Sequence, residues 1–323
     1  MSGTIAVIGA GITGLTLARY LQKKYDVYLY EKSWRPGGRM STRLSGKFQF
    51  DHGAQYFTIR SSAFRKFLNK AIVAGIVRPW DARIVSLERH ATIKERETEE
   101  DIYVGVPSMN SVCSYLAEDL RIKCENEVIK CHFSKGSWFL DLSNKTTAGP
   151  FCWLISTIPA HQNYEVFNRE MPSFDELGRV RMAGCSTLML GFEEPVGIDW
   201  QGALVSKSPI GWIGLDSSKP ERPANTSLVV QSTGMWGDEN LNTDGSEIMS
   251  QLFIELKEIS GIDGWSASYR SLHRWRYAGT PKAAGQKYFL DASKKLAICG
   301  DWCIKGRVEA AFESAAALAA EIL

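Results

Sequence analysis

The sequence has no pair of cysteines at the C-x-x-C spacing, and its seven cysteines, which lie between Cys113 and Cys303, are an odd number. The missing pair excludes a zinc site of the usual spacing and the dithiol motif of the disulfide reductases. We therefore expect no metal ion, and we expect a reduced cytoplasmic protein whose thiols are mostly structural.

The chain also has little net charge and no long apolar run. The net charge is only +2 at pH 7, and the Lys and Arg residues are scattered along the chain. This distribution lacks the basic stripe of a nucleic-acid-binding protein. No apolar run approaches the ~20 residues that span a bilayer. The first run, residues 5–18, is interrupted by glycines and follows no basic segment, unlike a signal peptide. We expect a soluble protein with no nucleic-acid or membrane partner.

The order of apolar runs predicts an α/β protein. With 323 residues, the chain exceeds the ~250–300 residues of a single hydrophobic core, so we expect two domains. A buried strand at Ile5–Ile8, a glycine turn, a helix to Leu21 and a second strand at Val27–Tyr30 form one βαβ unit. Residues 180–280 have mainly strand patterns with one helix, residues 295–299 are typical of a strand, and residues 308–323 form an Ala-rich helix.

This organisation predicts a Rossmann-like nucleotide-binding domain made of separate segments and an inserted β-rich (α+β) substrate or cap domain. The first would comprise residues 1–60, 103–160 and 290–323, and the second residues 61–102 and 161–289. The charged run from residue 89 to residue 101 is interpreted as a solvated hairpin or loop.

The run Gly9-Ala10-Gly11-Ile12-Thr13-Gly14 follows the first strand and opens the first helix, which is the context that a dinucleotide-binding motif requires. Gly9 permits the tight turn, Gly11 lets the backbone approach a pyrophosphate, and Gly14 allows close packing of helix and strand. The helix N-terminus offers N–H groups to the phosphates. Glu31, 22 residues after Gly9, is placed to bind the ribose hydroxyls.

Later residues favour FAD over NAD as the bound nucleotide. The loop Arg35-Pro36-Gly37-Gly38-Arg39 suits close passage beside a long cofactor, with Arg39 as a charge partner for the pyrophosphate. Near the C-terminus a strand leads into Gly300-Asp301, and Val308-Glu309-Ala310 begins the last helix. The N–H groups of that helix start could stabilise negative charge on the N1–O2 edge of a reduced flavin. The sequence has no second glycine motif in a strand–helix context, so it offers no separate domain for a nicotinamide reductant.

Together these features resemble the monoamine-oxidase-type flavoproteins, and among them the renalases. The resemblance covers nearly the whole chain and is most specific at residues 51–58 and 273–278. It is carried by Gly38-Arg39-Met40-Ser41-Thr42-Arg43, Asp51-His52-Gly53-Ala54-Gln55-Tyr56-Phe57-Thr58, Asp216-Ser217-Ser218-Lys219-Pro220, Gln231-Ser232-Thr233, His273-Arg274-Trp275-Arg276-Tyr277-Ala278 and Gly300-Asp301-Trp302. Glu221 departs from the pattern, since a Gly is expected there before Arg222, and we expect it to alter only a turn.

The resemblance implies a non-covalent FAD in a fold related to that of p-hydroxybenzoate hydroxylase. It also implies oxidation of the 2- and 6-dihydro isomers of NAD(P) to NAD(P)+ by hydride transfer to flavin N5, with O2 reduced to H2O2. The cofactor-binding positions that we predict from the motifs and the resemblance are Gly9, Gly11, Ile12, Thr13, Gly14, Glu31, Lys32, Gly38, Arg39, Ala54, Gln55, Tyr56, Val128, Asp301, Val308, Glu309 and Ala310.

In the cap we single out His273, Tyr277 and Arg276 as candidate catalytic residues. Aromatic rings could form a wall for the substrate, and a cation could favour reduction of oxygen. Alternation along a strand, however, would turn half of the residues in this run outward. Arg60 and Trp212 are weaker candidates for the pocket.

Two rival functions stay open at this point. An amine or polyamine oxidase would need an aromatic sandwich and often a Lys at the flavin N5, for which Lys282 and Lys305 are the candidates. A flavoprotein with a structural or regulatory FAD is the third interpretation.

Overall fold

The computed structural model describes residues 3–89, 93–95, 100–167, 170 and 176–323. Its helices are α1 Ile12–Leu21, α2 Ser62–Val73, α3 Met109–Ala117, α4 Gln162–Phe167, α5 Gly234–Glu239, α6 Gly245–Ser260, α7 Asp301–Ile304 and α8 Val308–Ile322. Its strands are β1 Thr4–Ile8, β2 Asp26–Tyr30, β3 Thr42–Ser45, β4 Phe48–Asp51, β5 Phe57–Thr58, β6 Val77–Pro79, β7 Ile84–Glu88, β8 Lys94–Glu95, β9 Ile102–Gly105, β10 Arg121–Lys123, β11 Val128–Ser134, β12 Ser137–Leu142, β13 Thr147–Phe151, β14 Trp153–Ser156, β15 Arg181–Phe192, β16 Gly202–Ser206, β17 Ile210–Leu215, β18 Thr226–Ser232, β19 Tyr269–Lys282, β20 Tyr288–Asp291 and β21 Leu296–Cys299.

A six-stranded sheet in the order β10-β2-β1-β14-β21-β20 forms the first layer. All neighbours in it are parallel except β20 and β21, which are antiparallel. Ile5 and Val7 of β1 enter the core that includes α1, α3 and α8, whereas Ala6 and Ile8 enter the core on the opposite face. Burial on both faces explains why the first strand is apolar at every position from Ile5 to Ile8.

A seven-stranded sheet in the order β19-β15-β18-β17-β16-β7-β8 forms the second large layer. Its pairs are antiparallel apart from β16 and β7. Leu188 and Val230 pack with α6 on one face. Met189 and Val229, each adjacent along its strand to one of these two residues, face Phe50 of the β3–β4 hairpin. That second face therefore looks toward the segment that runs from β4 to β5, to which Gln231 of β18 and Trp275 of β19 also donate hydrogen bonds.

The α/β architecture with a Rossmann-like part is confirmed, while several elements differ in extent. Residues 180–280 contain a second helix, α5, which the sequence pattern did not predict because six residues are too few to show a period. Strand β20 begins at Tyr288, two residues before the expected boundary at residue 290. The predicted hairpin at residues 89–101 includes β8, which pairs with β7, and otherwise lies partly outside the described residues. The proposed division into domains stays a prediction.

None of the helices in the described ranges is both long and apolar enough to cross a membrane.

Candidate functional site

The glycine turn between β1 and α1 has the geometry of a dinucleotide cradle. Gly9 has a φ of 97°, which L side chains rarely adopt. A Cβ on Gly14 would lie 2.0 Å from the carbonyl oxygen of Gly9, so only glycine lets the helix pack onto the turn. Gly11 caps α1 with no hydrogen bond from a side chain, which leaves the first N–H groups of the helix available to a phosphate. Ile12 and Thr13 are buried in that first turn.

Glu31 lies directly over this turn. Its carboxylate is buried and accepts hydrogen bonds from the backbone N–H groups of Ala10 and Ser33, each at 2.8 Å. The neighbouring Lys32 is exposed. The carbonyl of Glu31 accepts from Asn126, two residues before Val128 begins β11, and this bond holds the entry of β11 beside the carboxylate. Glu31, which we predict to bind the ribose, thus lies near Lys32 and the start of β11 at Val128, two further predicted cofactor-binding positions.

The loop with the glycine doublet packs against the glycine turn. Gly37 donates to the carbonyl of Ala10 at 2.9 Å and forms an isolated β-bridge with Gly11. Gly38 has a φ of 55°, and its Cα lies 3.9 Å from the position of a Cβ on Gly11. Two backbones that approach this closely form one continuous surface for the phosphates of a cofactor.

Arg39 connects this loop to the C-terminal part of the chain. Its guanidinium forms an ion pair with Asp301 and donates to the carbonyl of Ala278 at 3.1 Å. The carbonyl of Arg39 accepts from the N–H of Ala54 at 2.9 Å. The predicted cofactor residues Arg39, Ala54 and Asp301 therefore meet, although they lie as much as 262 residues apart.

The start of α8 has a structural role that the sequence did not reveal. The Glu309 carboxylate accepts from the N–H groups of Arg60 and Ser61, at 2.8 and 2.7 Å, and so ties α8 to the start of α2. Val308 and Ala310 share the first turn of α8, where backbone N–H groups point out of the helix. The guanidinium of Arg60 pairs with Glu100 at the surface, which removes this weaker candidate from the pocket.

Two buried polar atoms converge on Gly214. A Cβ on this glycine would lie 2.7 Å from Nε1 of Trp212 and 3.3 Å from Oε1 of Gln55. Both atoms are buried and have no hydrogen-bond partner within the described ranges. The ring of Tyr56 lies 5.5 Å from that of Trp212. A buried donor and a buried acceptor left unpaired at one place fit a ligand that hydrogen-bonds there.

Three aromatic side chains form a wall between the segment that follows β4 and strand β19. The ring of His52 lies 4.9 Å from that of His273 and is stacked 5.5 Å from Trp275, whose Nε1 donates to the carbonyl of His52 at 2.9 Å. Burial, and then the neighbouring His273, lower the pKa of His52 to about 4. Burial and then Arg43 lower the pKa of His273 to about 4. Both imidazoles are therefore neutral at pH 7.

The three candidate catalytic residues are not brought together. His273 belongs to the aromatic wall, but the ring of Tyr277 stacks on that of His161 at 6.1 Å. The register of β15 and β19 shifts between Ala183 and Cys185, opposite the stretch that holds Tyr277, and such irregularities redirect side chains. Arg276 is exposed. Lys282 and Lys305, the candidates for an amine-oxidase lysine, are exposed as well.

Next to the aromatic wall lies a fully buried ion network, three of whose four members, Asp51, Asp216 and Lys219, belong to motifs that carry the resemblance. The carboxylate of Asp51 accepts from Lys219 at 3.1 Å, from Arg222 at 2.6 Å and from Thr42 at 2.6 Å. Asp216 pairs with Lys219 and accepts from the N–H of Asp51 at 3.1 Å. The network joins β4 of the first half of the chain to the segment after β17.

Charge balance explains how this network is tolerated. Burial alone would raise the pKa of Asp51, but the cations Lys219 and Arg222 lower it to about 2. Burial and the adjacent Asp51 raise the pKa of the Asp216 carboxyl. Two carboxylates and two cations cancel, which limits the desolvation cost of burying four ions.

Comparison with known proteins also indicates a dinucleotide-binding domain at the start of the chain. Residues 7–71 match a family described as an NAD(P)-binding Rossmann-like domain. Renalase of Mus musculus is 24% identical over 299 residues, which cover 85% of this chain and 84% of that protein. This chain is an FAD-dependent oxidoreductase that is similar to renalase.

Solved structures show the same fold at lower identity. A protein described as a putative protoporphyrinogen oxidase from Exiguobacterium sp. 255-15 superimposes with a TM-score of 0.79 at 13% identity, covering 100% of this chain and 99% of that one. A putrescine oxidase variant superimposes with a TM-score of 0.76 at 10% identity and the same coverage. The oxidoreductase thus shares the whole architecture of these proteins, including the part that follows the Rossmann-like segment.

Replacement of Glu31 by Ala should weaken binding of FAD to the oxidoreductase by about 1.5–3 kcal/mol. The reason is that the hydrogen bonds from the ribose hydroxyls to the charged carboxylate would be lost. The dissociation constant can be measured by titrating the apoprotein with FAD and following flavin fluorescence. Replacement of the exposed Glu127 by Ala, next to β11, is the matched control and should leave the affinity unchanged. Equal affinities for both variants would mean that Glu31 does not contact the cofactor.

Glu221, which stands where the related proteins lead us to expect Gly, has a φ of 56° and pairs with Arg78 at the surface. Replacement by Gly should stabilise the protein relative to replacement by Ala by about 1 kcal/mol, because only Gly adopts this conformation without strain. Both variants lose the pair with Arg78, so the difference between their unfolding free energies in urea isolates the backbone effect. An Ala variant as stable as the Gly variant would contradict the left-handed conformation.

Proposed function

We propose that this oxidoreductase oxidises the 2- and 6-dihydro isomers of NAD(P) to NAD(P)+, using a non-covalent FAD and reducing O2 to H2O2. The resemblance to renalase motivates the choice of substrate. The observation that carries the proposal is the aromatic wall of His52, His273 and Trp275. The imidazoles of His52 and His273 are neutral at pH 7, because their pKa values are lowered.

The residues of the cradle fit FAD. The glycine turn and the first turn of α1 would hold the pyrophosphate together with Arg39, and Glu31 would bind the ribose of the adenosine. Trp212 and Gln55 present two unpaired buried polar atoms where a ligand would satisfy them. When bound, the flavin supplies the acceptor for the hydride of the substrate and passes the electrons on to oxygen.

The aromatic wall suits a dihydropyridine better than an amine. A dihydronicotinamide ring is uncharged and can stack on His273 or Trp275. A protonated amine at this wall would instead be repelled by the nearby guanidinium of Arg43, which adds to burial in lowering the pKa of both His52 and His273. The nearest carboxylate in the sequence, Asp51, is already engaged by Lys219 and Arg222. Loss of a hydride from the dihydropyridine releases no proton, so the wall has to orient the ring and exclude water, and no strong base is needed.

The experiment that tests this proposal is oxygen uptake with the purified protein. We expect one O2 consumed and one H2O2 formed for each molecule of a borohydride-generated dihydronicotinamide isomer. A panel of monoamines and polyamines should give no uptake above the background rate. Uptake with an amine and none with the isomers would replace the proposal with an amine oxidase; uptake with neither would favour a structural or regulatory flavin.

The protein should also purify yellow and release one intact FAD on denaturation by heat or acid. The contacts proposed for FAD, from the glycine turn to Asp301, are non-covalent. The measurement is the absorbance of the supernatant and of the precipitated polypeptide after denaturation. Flavin that remains with the polypeptide would contradict the claim.

The seven cysteines are all free, which agrees with the reducing cytoplasm that we propose as the compartment of this protein.

A further inference from the structure

A cavity of about 710 Å³ opens where β15 begins and β19 ends, and none of the residues proposed to hold the cofactor lines it. This volume lies within the ~300–1,000 Å³ range of small-molecule sites. The residues of its lining that bear on its chemistry are His161, Arg179, Arg181, Met235, Asp238 and Lys282.

The cavity lining holds three cations, Arg179, Arg181 and Lys282, and one carboxylate, that of Asp238. Arg181 and Lys282 face each other as direct partners across β15 and β19, an arrangement of like charges that destabilises a sheet. Arg179, two residues before Arg181, lines the same cavity. Within the ranges that the structure describes, these three cations make no ion pair. An anionic ligand would offset their repulsion.

The lining also offers groups for the uncharged parts of a nucleotide. Oδ1 of Asp238 accepts from the N–H of Gly184 at 2.6 Å, which fixes the carboxylate and leaves its second oxygen for a hydroxyl. The side chain of Met235 is 74% exposed, and such a flexible apolar side chain can cover a base. Cations, an oriented carboxylate and an apolar side chain together fit phosphates, a ribose and a base.

The cavity is connected to the proposed cofactor by a short series of contacts. His161, in its lining, stacks on Tyr277. The next residue, Ala278, accepts a hydrogen bond from Arg39, which pairs with Asp301. A ligand in the cavity would therefore lie beside the strand that also carries His273.

We propose that this cavity binds the adenylate and diphosphate part of the dinucleotide substrate, while its dihydronicotinamide ring reaches the aromatic wall. The proposal rests on the proposed function, because it assigns the remote half of the same substrate. Arg181 and Lys282 would contact the phosphate oxygens through charge-assisted hydrogen bonds, with Arg179 beside them. Tyr277 would then line the passage between the two halves of the substrate.

Binding of ADP to the oxidised, FAD-loaded protein tests the cavity independently of any turnover. By calorimetry, the double variant R181Q/K282Q should bind ADP at least ~10-fold more weakly than the wild type, since it loses two charged contacts. The control R270Q/K287Q removes two exposed cations from elsewhere on or near β19 and should bind ADP as the wild type does. Equal ADP affinity in R181Q/K282Q and the wild type, or no binding at all, would overturn the inference.

Kinetics with two substrates separates this inference from the proposed function. For a 6-dihydro isomer of NAD, R181Q/K282Q should show a KM at least ~10-fold higher with kcat unchanged, because the interaction is lost equally from ground and transition states. For the corresponding isomer of nicotinamide riboside, which lacks both phosphates and the adenosine, KM should not change. Unchanged KM for both substrates with normal turnover overturns the cavity assignment and leaves the function intact. ADP binding that depends on Arg181 and Lys282, without turnover of either isomer, supports the cavity and overturns the function.

Discussion

Replacement of Lys219 by Met should lower the free energy of unfolding by about 3–5 kcal/mol, the cost of removing one partner from a buried ion network. Lys219 is fully buried between Asp51 and Asp216, and its ammonium also lies 5.5 Å from the ring of Trp80. Its loss leaves two carboxylates with only Arg222 to balance them. The measurement is urea-induced unfolding at one fixed excess of FAD, because the bound cofactor adds its own stability.

A second substitution tests whether charge balance is the cause. In the double variant D216N/K219M one carboxylate disappears together with the cation, so the network is again neutral. It should therefore recover at least ~1 kcal/mol relative to K219M, as expected for residues in direct contact. Lys257, which forms an exposed pair with Asp263, is the control, and K257M should cost less than about 1 kcal/mol. If K219M cost no more than K257M, the buried network would not hold the two halves of the chain together.

The Rossmann-like part was predictable because its signals are local. The apolar strand, the glycine turn, the helix and Glu31 all lie within the first ~30 residues of a single βαβ unit. Gly9 has the positive φ, and Gly14 the close packing, that the motif predicts. Both glycines can be placed from the local sequence alone, without knowledge of residues that are distant along the chain.

The cap side could not be predicted to the same depth, because distant parts of the chain define it. The register between β15 and β19 shifts between Ala183 and Cys185, opposite the part of β19 that holds Tyr277. The alternation of residues within β19 does not reveal this shift. The backbone of Asp51 and the carboxylate of Asp216 are 165 residues apart in sequence but hydrogen-bonded in the fold. The signal that could have revealed the network was the presence of Asp51, Asp216 and Lys219 in two motifs of the resemblance, with Arg222 two residues after the second motif.

Flavin reduction by the 2- or 6-dihydro isomers should be at least ~100-fold faster than by ordinary NADH or by simple amines. A factor of ~100 corresponds to about 2.7 kcal/mol of activation free energy, which is a reasonable cost for a mispositioned donor. Ordinary NADH carries its hydride at another ring carbon, so a ring stacked in the same pose at the aromatic wall would hold that hydride away from the acceptor. The neutral imidazoles of His52 and His273 offer an amine cation no counter-charge.

The prediction also has a pH component. Between pH 6 and 8 the imidazoles of His52 and His273 stay neutral, because their pKa values are lowered to about 4. The rate of flavin reduction by an isomer should therefore be flat over this range. A rate that followed an ionisation near pH 6.5, the ordinary value for His, would contradict the burial of these rings.

The central claim is tested most directly by anaerobic mixing of the FAD-loaded protein with each candidate reductant in a stopped-flow spectrometer. The loss of flavin absorbance gives the rate of reduction without interference from oxygen. We predict rapid bleaching by a 2- or 6-dihydro isomer of NAD or NADP, and bleaching by NADH or any amine at least ~100-fold slower. Faster bleaching by a monoamine or polyamine than by either isomer would contradict the account and favour an amine oxidase.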